Sequence, residues 1–152
     1  MNKDEAYMAL AIEEAKKAAA LNEIPVGAII VLEDRVIARG YNKRETAKDA
    51  TLHAEIVAIQ EACKVLKRWR LAGATMYVTL EPCPMCAGAI VMSRIARVVY
   101  GAVDSKAGAC ESLFNIVNNK NLNHQVNITA GVCEEECKNI LQKFFMSKRQ
   151  EV

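Results

Sequence analysis

Cys83 and Cys86, in the run Glu81-Pro82-Cys83-Pro84-Met85-Cys86, are the residues of this chain best equipped for chemistry. They follow an apolar, β-branched stretch with the pattern of a strand and precede an Ala/Gly/Ile/Met run with the pattern of a helix. With Cys83 capping that helix and Pro84 in its first position, both thiols stand at the positive end of the helix dipole. That setting favours the thiolate, which is the form that binds metal. Two thiols do not complete a site. One of only two histidines, His53, opens the helix before that strand, and Glu55 lies two positions on. On a helix this spacing turns the side chains about 200° apart, which suits a division of labour: His53 as a metal ligand, Glu55 reaching over the metal towards a bound water. A structural zinc site would be closed by a fourth ligand. Three ligands, His53, Cys83 and Cys86, with one open position are the catalytic pattern.

Each half of this constellation is weak alone. A lone H-x-E is equally well a surface helix turn, and a lone C-x-x-C is equally well a redox pair or two buried thiols. Together, each at a helix start with a strand between them, they form a compound signal for a metal centre.

The elements that must position these residues follow from hydrophobic periodicity. Met8, Ala11, Ile12, Ala15 and Ala19 mark one face of a helix from about Asp4 to Leu21, with Glu13 and Lys17 paired outside. Val26 to Leu32 is a strand buried on both faces, and Glu33-Asp34 turns it back into Arg35–Gly40 as a hairpin. A second helix carries Ile56, Ile59, Cys63, Leu66 and Arg70 on one side and His53 and Glu55 in its first turn. Thr75–Leu80 is the third strand, Pro84 to about Arg94 the third helix, Val98–Val103 the fourth strand and Val126–Thr129 a short fifth. Cys133, Cys137, Ile140, Leu141 and Phe144 mark a closing helix, with Glu134 and Lys138 paired outside. Strands alternating with helices after an initial hairpin give an α/β domain with helices on both faces of a mixed sheet.

The length, 152 residues, suits one domain with one core, and the 52% hydrophobic and 25% charged content excludes a disordered chain. Twenty Lys and Arg against 18 Asp and Glu leave a net charge of +2, which points to no partner class. The opening Met1-Asn2-Lys3-Asp4-Glu5 carries acids and no apolar run, so no secretory signal is expected, and no stretch is apolar enough to cross a bilayer. The expectation is a cytoplasmic protein whose six cysteines stay reduced, with no membrane partner.

His53-Ala54-Glu55 with Pro82-Cys83-Pro84-Met85-Cys86 is similar to the signature of zinc-dependent nucleobase and nucleoside deaminases. Over almost the whole chain the sequence further resembles the bacterial tRNA-specific adenosine deaminases of the cytidine/deoxycytidylate deaminase superfamily. The matching segments include Ile24-Pro25-Val26-Gly27-Ala28, Tyr41-Asn42, Thr79 to Cys83, Met85 to Ile90, Ser93-Arg94-Ile95, Val98 to Ala102, Leu122-Asn123-His124 and the ending Phe144 to Glu151. The resemblance implies a three-layer α/β/α cytidine-deaminase-like fold around a five-stranded mixed sheet, formed by residues 1–152 as a single domain. It implies one Zn2+ per subunit and a zinc-bound hydroxide attacking the amino-bearing carbon, with Glu55 passing the proton to the ring nitrogen and the departing ammonia. It implies that a homodimer converts the wobble adenosine of a tRNA anticodon stem-loop to inosine. Carried onto this chain, Asn42, Asp104, Lys106, Asn123, Phe145 and Arg149 would hold the flipped base and its neighbours.

Some positions depart from that family. Pro84 stands where Val is common and makes a P-C-P-M-C run that resembles bacterial guanine deaminases. Gln125 replaces an expected Arg, and Cys110-Glu111 replace smaller neutral residues; a lost Arg and a gained acid both disfavour RNA phosphate. Read without the resemblance, Asn42 is a turn residue, Asp104 and Lys106 a polar loop, and Lys143, Lys148 and Arg149 a solvated helix end. Cys63, Cys133 and Cys137 are then core thiols, and Met85 and Met92 core filler. Besides the tRNA deaminase, the sequence leaves a free-base deaminase acting on guanine or cytosine and a noncatalytic zinc-stabilised scaffold. Glu55 speaks against the scaffold, because a structural site has no use for a carboxylate over an open position.

Overall fold

The computed structural model describes residues 1–150, so Glu151 of the C-terminal ending lies outside the described residues. Helix α1 (Lys3–Ala20) starts in a reciprocal cap: the Asn2 side chain accepts from the Glu5 amide at 2.8 Å and the Glu5 carboxylate accepts from the Asn2 amide at 3.3 Å. Strand β1 (Gly27–Leu32) is buried along nearly its whole length and returns as β2 (Arg35–Tyr41). The turn residues Glu33 and Asp34 both take positive φ, 51° and 59°, the conformation whose twist matches a two-residue hairpin. There follow α2 (Ala54–Leu66), β3 (Thr75–Leu80), α3 (Pro84–Met92), β4 (Arg97–Ala102), β5 (Asn127–Thr129) and α4 (Glu134–Gln150).

The strands form one five-stranded sheet in the order β2-β1-β3-β4-β5. β1 pairs antiparallel with both β2 and β3, while β3–β4 and β4–β5 are parallel, so the sheet is mixed. Side chains alternate along β3: Met76 and Val78 join the core under α2 and α3, with Ile30, Ile90 and Tyr100, and Tyr77 joins the core under α1 and α4, with Met8, Ile12, Ile29, Val99 and Cys137. Helices thus cover both faces, giving the three-layer α/β/α arrangement expected.

Several expectations about side chains need correction. The inner face of α2 is the small-residue stripe Ala54, Ala58 and Ala62, with Ile59, Cys63 and Leu66 on its flanks. Alanines are needed there because α2 lies almost against the backbone of β2; a Cβ on Gly40 would stand 2.5 Å from the Ala54 carbonyl oxygen. The helix ends at Leu66, where Lys67 turns left-handed (φ 54°), so Arg70 falls beyond it and is exposed. Lys17 pairs with the buried Glu14 at 2.7 Å, not with Glu13. Met85 and Met92 are surface residues, 37% and 69% exposed, because Cys86, Ala87, Ile90 and Val91 occupy the inner face of α3. All six cysteines are free; Cys137 and Cys110 are buried, whereas Cys63 and Cys133 are half-buried. The expected Glu134–Lys138 pair is present at 3.2 Å.

Candidate active site

The parallel pair β3–β4 ends where α2 and α3 begin. Because β1 runs antiparallel to β3, its first residues and the end of β2 come to the same edge of the sheet. Crevices outside the carboxyl ends of strands are where open α/β sheets bind ligands. Here a cavity of about 170 Å³ is lined by Ile24, Val26, Asn42, Arg44, His53, Glu55, Leu80, Glu81, Cys83, Asp104 and Ala107.

His53 is the N-cap residue of α2 and Cys83 that of α3, each with extended backbone (ψ 158° and 173°), and neither spends its side chain on a cap hydrogen bond. Pro84 follows at the start of α3, where its missing N–H costs no hydrogen bond. Cys86 lies in the first turn, fully buried. Two helix starts therefore deliver three ligand atoms to one point. His53 Nδ1 is 3.6 Å from Cys83 Sγ and 3.6 Å from Cys86 Sγ, and all three atoms lie within 4.8 Å of one another. Zinc bonds of about 2.3 Å to sulfur and about 2.05 Å to nitrogen, opened to the tetrahedral angle, set N and S about 3.6 Å apart. The donor set and its spacing fit zinc with one position left for a non-protein ligand.

The charges around this point are coupled. The hydrogen bond from Cys86 holds the Cys83 thiol down at about 4, against the opposing effect of burial and with help from His53. The same contact, reinforced by burial, pushes Cys86 far up. Metal binding displaces the shared proton and makes both sulfurs thiolates. Contact with Cys83 raises His53. Glu55, only 3% exposed, is pushed up to about 7 by burial, with the neighbouring Cys83 charge acting in the same sense.

Two more buried carboxylates hold the cavity walls, and sequence reading missed both. Glu23 accepts from the Glu45 amide at 3.0 Å and from the Thr46 amide and hydroxyl, each at 2.5 Å, fixing the loop that follows Asn42. Burial raises its pKa, but these bonds and the Arg44 charge outweigh it and leave the group below its ordinary value. Glu81 similarly gathers the loop from Asp104 to Ser112. The only sequence signal for either was an acid at an element's end facing a loop rich in polar residues.

Of the residues the resemblance singles out, Asn42 and Asp104 line the cavity. The Asn42 side-chain nitrogen donates to Ile24 O at 3.2 Å and its side-chain oxygen accepts from the Arg44 backbone amide at 3.2 Å, so it also ties its own loop. Lys106, Phe145 and Arg149 lie together in a groove between the 104–112 loop and α4. Phe145 also lines a second groove that shares Ile24, Asn42 and Arg44 with the cavity. Asn123 is exposed on the loop before β5 and lines none of these hollows.

A three-layer α/β/α domain with this donor set and a carboxylate beside it defines the class: a zinc-dependent hydrolytic deaminase. Residues 1–102 match the model of the cytidine and deoxycytidylate deaminase zinc-binding region. The chain is 51% identical to the tRNA-specific adenosine deaminase of Bacillus subtilis over 99% of its own length and 93% of that protein's, and 48% identical to that of Haemophilus influenzae over 97% and 86%. Among solved structures it is similar to one from a study of A-to-I editing by tRNA:A34 deaminases (TM-score 0.86, 46% identity, 90% of this chain and 99% of that one). It is also similar to guanine deaminase from Bacillus subtilis (TM-score 0.65, 39% identity, 76% and 72% covered). The chain belongs to the cytidine and deoxycytidylate deaminase family, in the branch of the tRNA-specific adenosine deaminases.

Proposed function

We propose that this protein deaminates the wobble adenosine of a tRNA anticodon to inosine, with residues 1–152 working as a single domain in the cytoplasm and two copies forming the active unit. The observation that carries the chemistry is the buried Glu55 carboxyl in the same cavity as His53 and Cys83. His53, Cys83 and Cys86 hold one zinc ion. Zinc held by three protein ligands supplies Lewis-acid activation of water, lowering its pKa to about 7. Glu55 takes one proton from the attacking water and gives it to the ring nitrogen, then takes the second from the new hydroxyl and gives it to the amino group, which leaves as ammonia. A carboxyl poised near neutrality can do both. The reacting carbon must reach the small cavity that holds Glu55, so the base must leave its stack to enter.

Asn42 and Asp104, both lining the cavity, hold that base, while Phe145 offers a stacking surface and Lys106 and Arg149 offer cations to the flanking backbone. Asn123 is assigned to a flanking nucleotide outside the cavity. Exposed Met85 and Met92 on α3, with exposed Trp69 and Val65 near the end of α2, supply apolar surface for the second copy. The similarity to the tRNA-specific adenosine deaminases over nearly the whole chain supports the RNA substrate. A free-base reading on guanine is favoured by the likeness to guanine deaminase and by Pro84.

The test is an anticodon stem-loop with adenosine at the wobble position, run beside free guanine and free cytosine. Inosine in the stem-loop is the expected product; ammonia from free base alone overturns the tRNA reading. Glu55→Ala should keep its zinc and fold and lose at least about 100-fold in turnover. An undiminished rate in that variant refutes the proton-shuttle role.

A further inference from the structure

The segment from Val103 to Asn115 contains no helix or strand, yet its Asp104 and Ala107 line the cavity. Its fixed point is a single side chain. Oε2 of Glu81 accepts three consecutive amides, Cys110 at 3.1 Å, Glu111 at 2.9 Å and Ser112 at 3.0 Å. Oε1 accepts the Asp104 amide at 3.1 Å and the Ser112 hydroxyl. The loop wraps so closely that a Cβ on Gly108 would stand 2.4 Å from the Glu81 carboxyl carbon and 2.5 Å from the Asp104 carbonyl oxygen. Glu81 is itself anchored at the strand end: its amide donates to Ala102 O at 2.9 Å, and the next carbonyl, Pro82 O, accepts from Ala109 N at 2.8 Å. A carboxylate has about four acceptor directions, so five donors leave none for substrate or metal.

We propose that Glu81 is a positioning residue for substrate: through these five bonds it sets the wall that carries Asp104 and Ala107, and so governs how well the base is held, with no part in metal binding or proton transfer. This rests on the cavity being the base site. The Asp104 carboxylate, fixed by the loop, closes its own turn onto the Lys106 and Ala107 amides at 3.0 and 3.1 Å, so displacement at Glu81 reaches Lys106 as well.

Glu81→Gln keeps the shape of the side chain. Its oxygen can still receive three amides, but its NH2 then opposes the Asp104 N–H. On the zinc-loaded protein, three readouts are compared: zinc per subunit, hydrogen exchange at the amides of residues 104–112, and kcat and KM for the stem-loop. Expected are full zinc, faster exchange at those amides, and KM raised about tenfold with kcat within about twofold, because a smaller fraction of the protein holds the competent wall. Ser112→Ala, which leaves the Glu81 strand untouched, should move exchange and KM in the same direction by less, and carries the test if Glu81→Gln does not fold. Unchanged exchange, unchanged KM, or a fall in kcat that tracks lost zinc each overturns the proposal. If the wild-type protein is inactive on the stem-loop, the tRNA reading fails by itself; exchange, and KM for whichever free base is deaminated, then decide the role of Glu81.

Discussion

Gly40→Ala should separate metal affinity from overall stability in a way the packing makes explicit. The added Cβ would meet Ala54 O at 2.5 Å, Ala58 N at 2.7 Å and Val57 Cβ at 3.0 Å. Two of these are helix backbone atoms, which cannot swing aside singly, so ordinary contact is restored only by moving the start of α2 outward by about 1 Å. Ala54 sits between His53 and Glu55, and both travel with it. Ligand distances in a metal site tolerate about 0.2 Å, so a shift several times larger takes His53 Nδ1 out of bonding range of a metal held by Cys83 and Cys86. Overpacking of this kind also costs about 1–3 kcal/mol of stability. The assay is zinc per subunit after dialysis against a graded chelator, with thermal unfolding alongside. Met8→Ala is the control. Met8, on α1, is fully buried against the opposite face of the sheet, and its truncation should cost about 2–5 kcal/mol while leaving zinc affinity unchanged. Full zinc and full activity in Gly40→Ala would falsify the close-approach reasoning. Equal zinc loss in Met8→Ala would show that metal content merely follows stability.

Cys83→Ser and Cys86→Ser should each lose zinc and melt earlier, because the metal ties the starts of α2 and α3 together; unchanged metal content in either contradicts the ligand assignment. Glu23→Gln should weaken folding by about 1.5–3 kcal/mol at neutral pH, since amide donors bond an ionised acceptor more strongly. The Glu23 carboxyl is held below its ordinary value in the fold, so its contribution is present above the unfolded value of about 4.3 and is lost as pH falls through the lower folded value. The gap between wild type and Glu23→Gln, followed by denaturant unfolding from pH 7 down to pH 3, should therefore narrow only at the acid end. A gap independent of pH would mean that Glu23 is not ionised in the folded protein.

The clustering of His53, Cys83 and Cys86 beside Glu55 was legible because metal chemistry restricts residue types and helix starts restrict their spacing; both constraints are local in sequence. The order of strands and helices was legible for the same reason, since periodicities of 2 and 3.6 are local properties. Glu23 and Glu81 were not. Their partners lie 22 to 31 residues away and are mostly backbone amides, which carry no residue signature. The inner face of α2 was misjudged because size, not hydrophobicity, selects it: β2 approaches too closely at Gly40 for anything larger than alanine. Met85 and Met92 failed as core residues for the opposite reason, an apolar type placed on an outer face by the helix register that buries Cys86 and Ile90.

The departures from the tRNA deaminase pattern also change meaning once placed. Pro84 favoured a free-base substrate in the sequence, but it is exposed at the first position of α3 and does not line the cavity; its effect is on the helix start that presents Cys83. Gln125 donates to Asn119 O at 3.0 Å and Leu122 O at 2.7 Å, closing the loop that carries Asn123. The Glu111 carboxylate accepts the Tyr100 hydroxyl at 2.5 Å, which anchors that acid to β4. All three serve the scaffold. On the proposed function, substrate choice therefore falls to what would surround the base: the cavity of about 170 Å³ and the groove lined by Lys106, Phe145 and Arg149. Truncated substrates should lose the contribution of that groove first, and an enzyme for free bases would have no use for it.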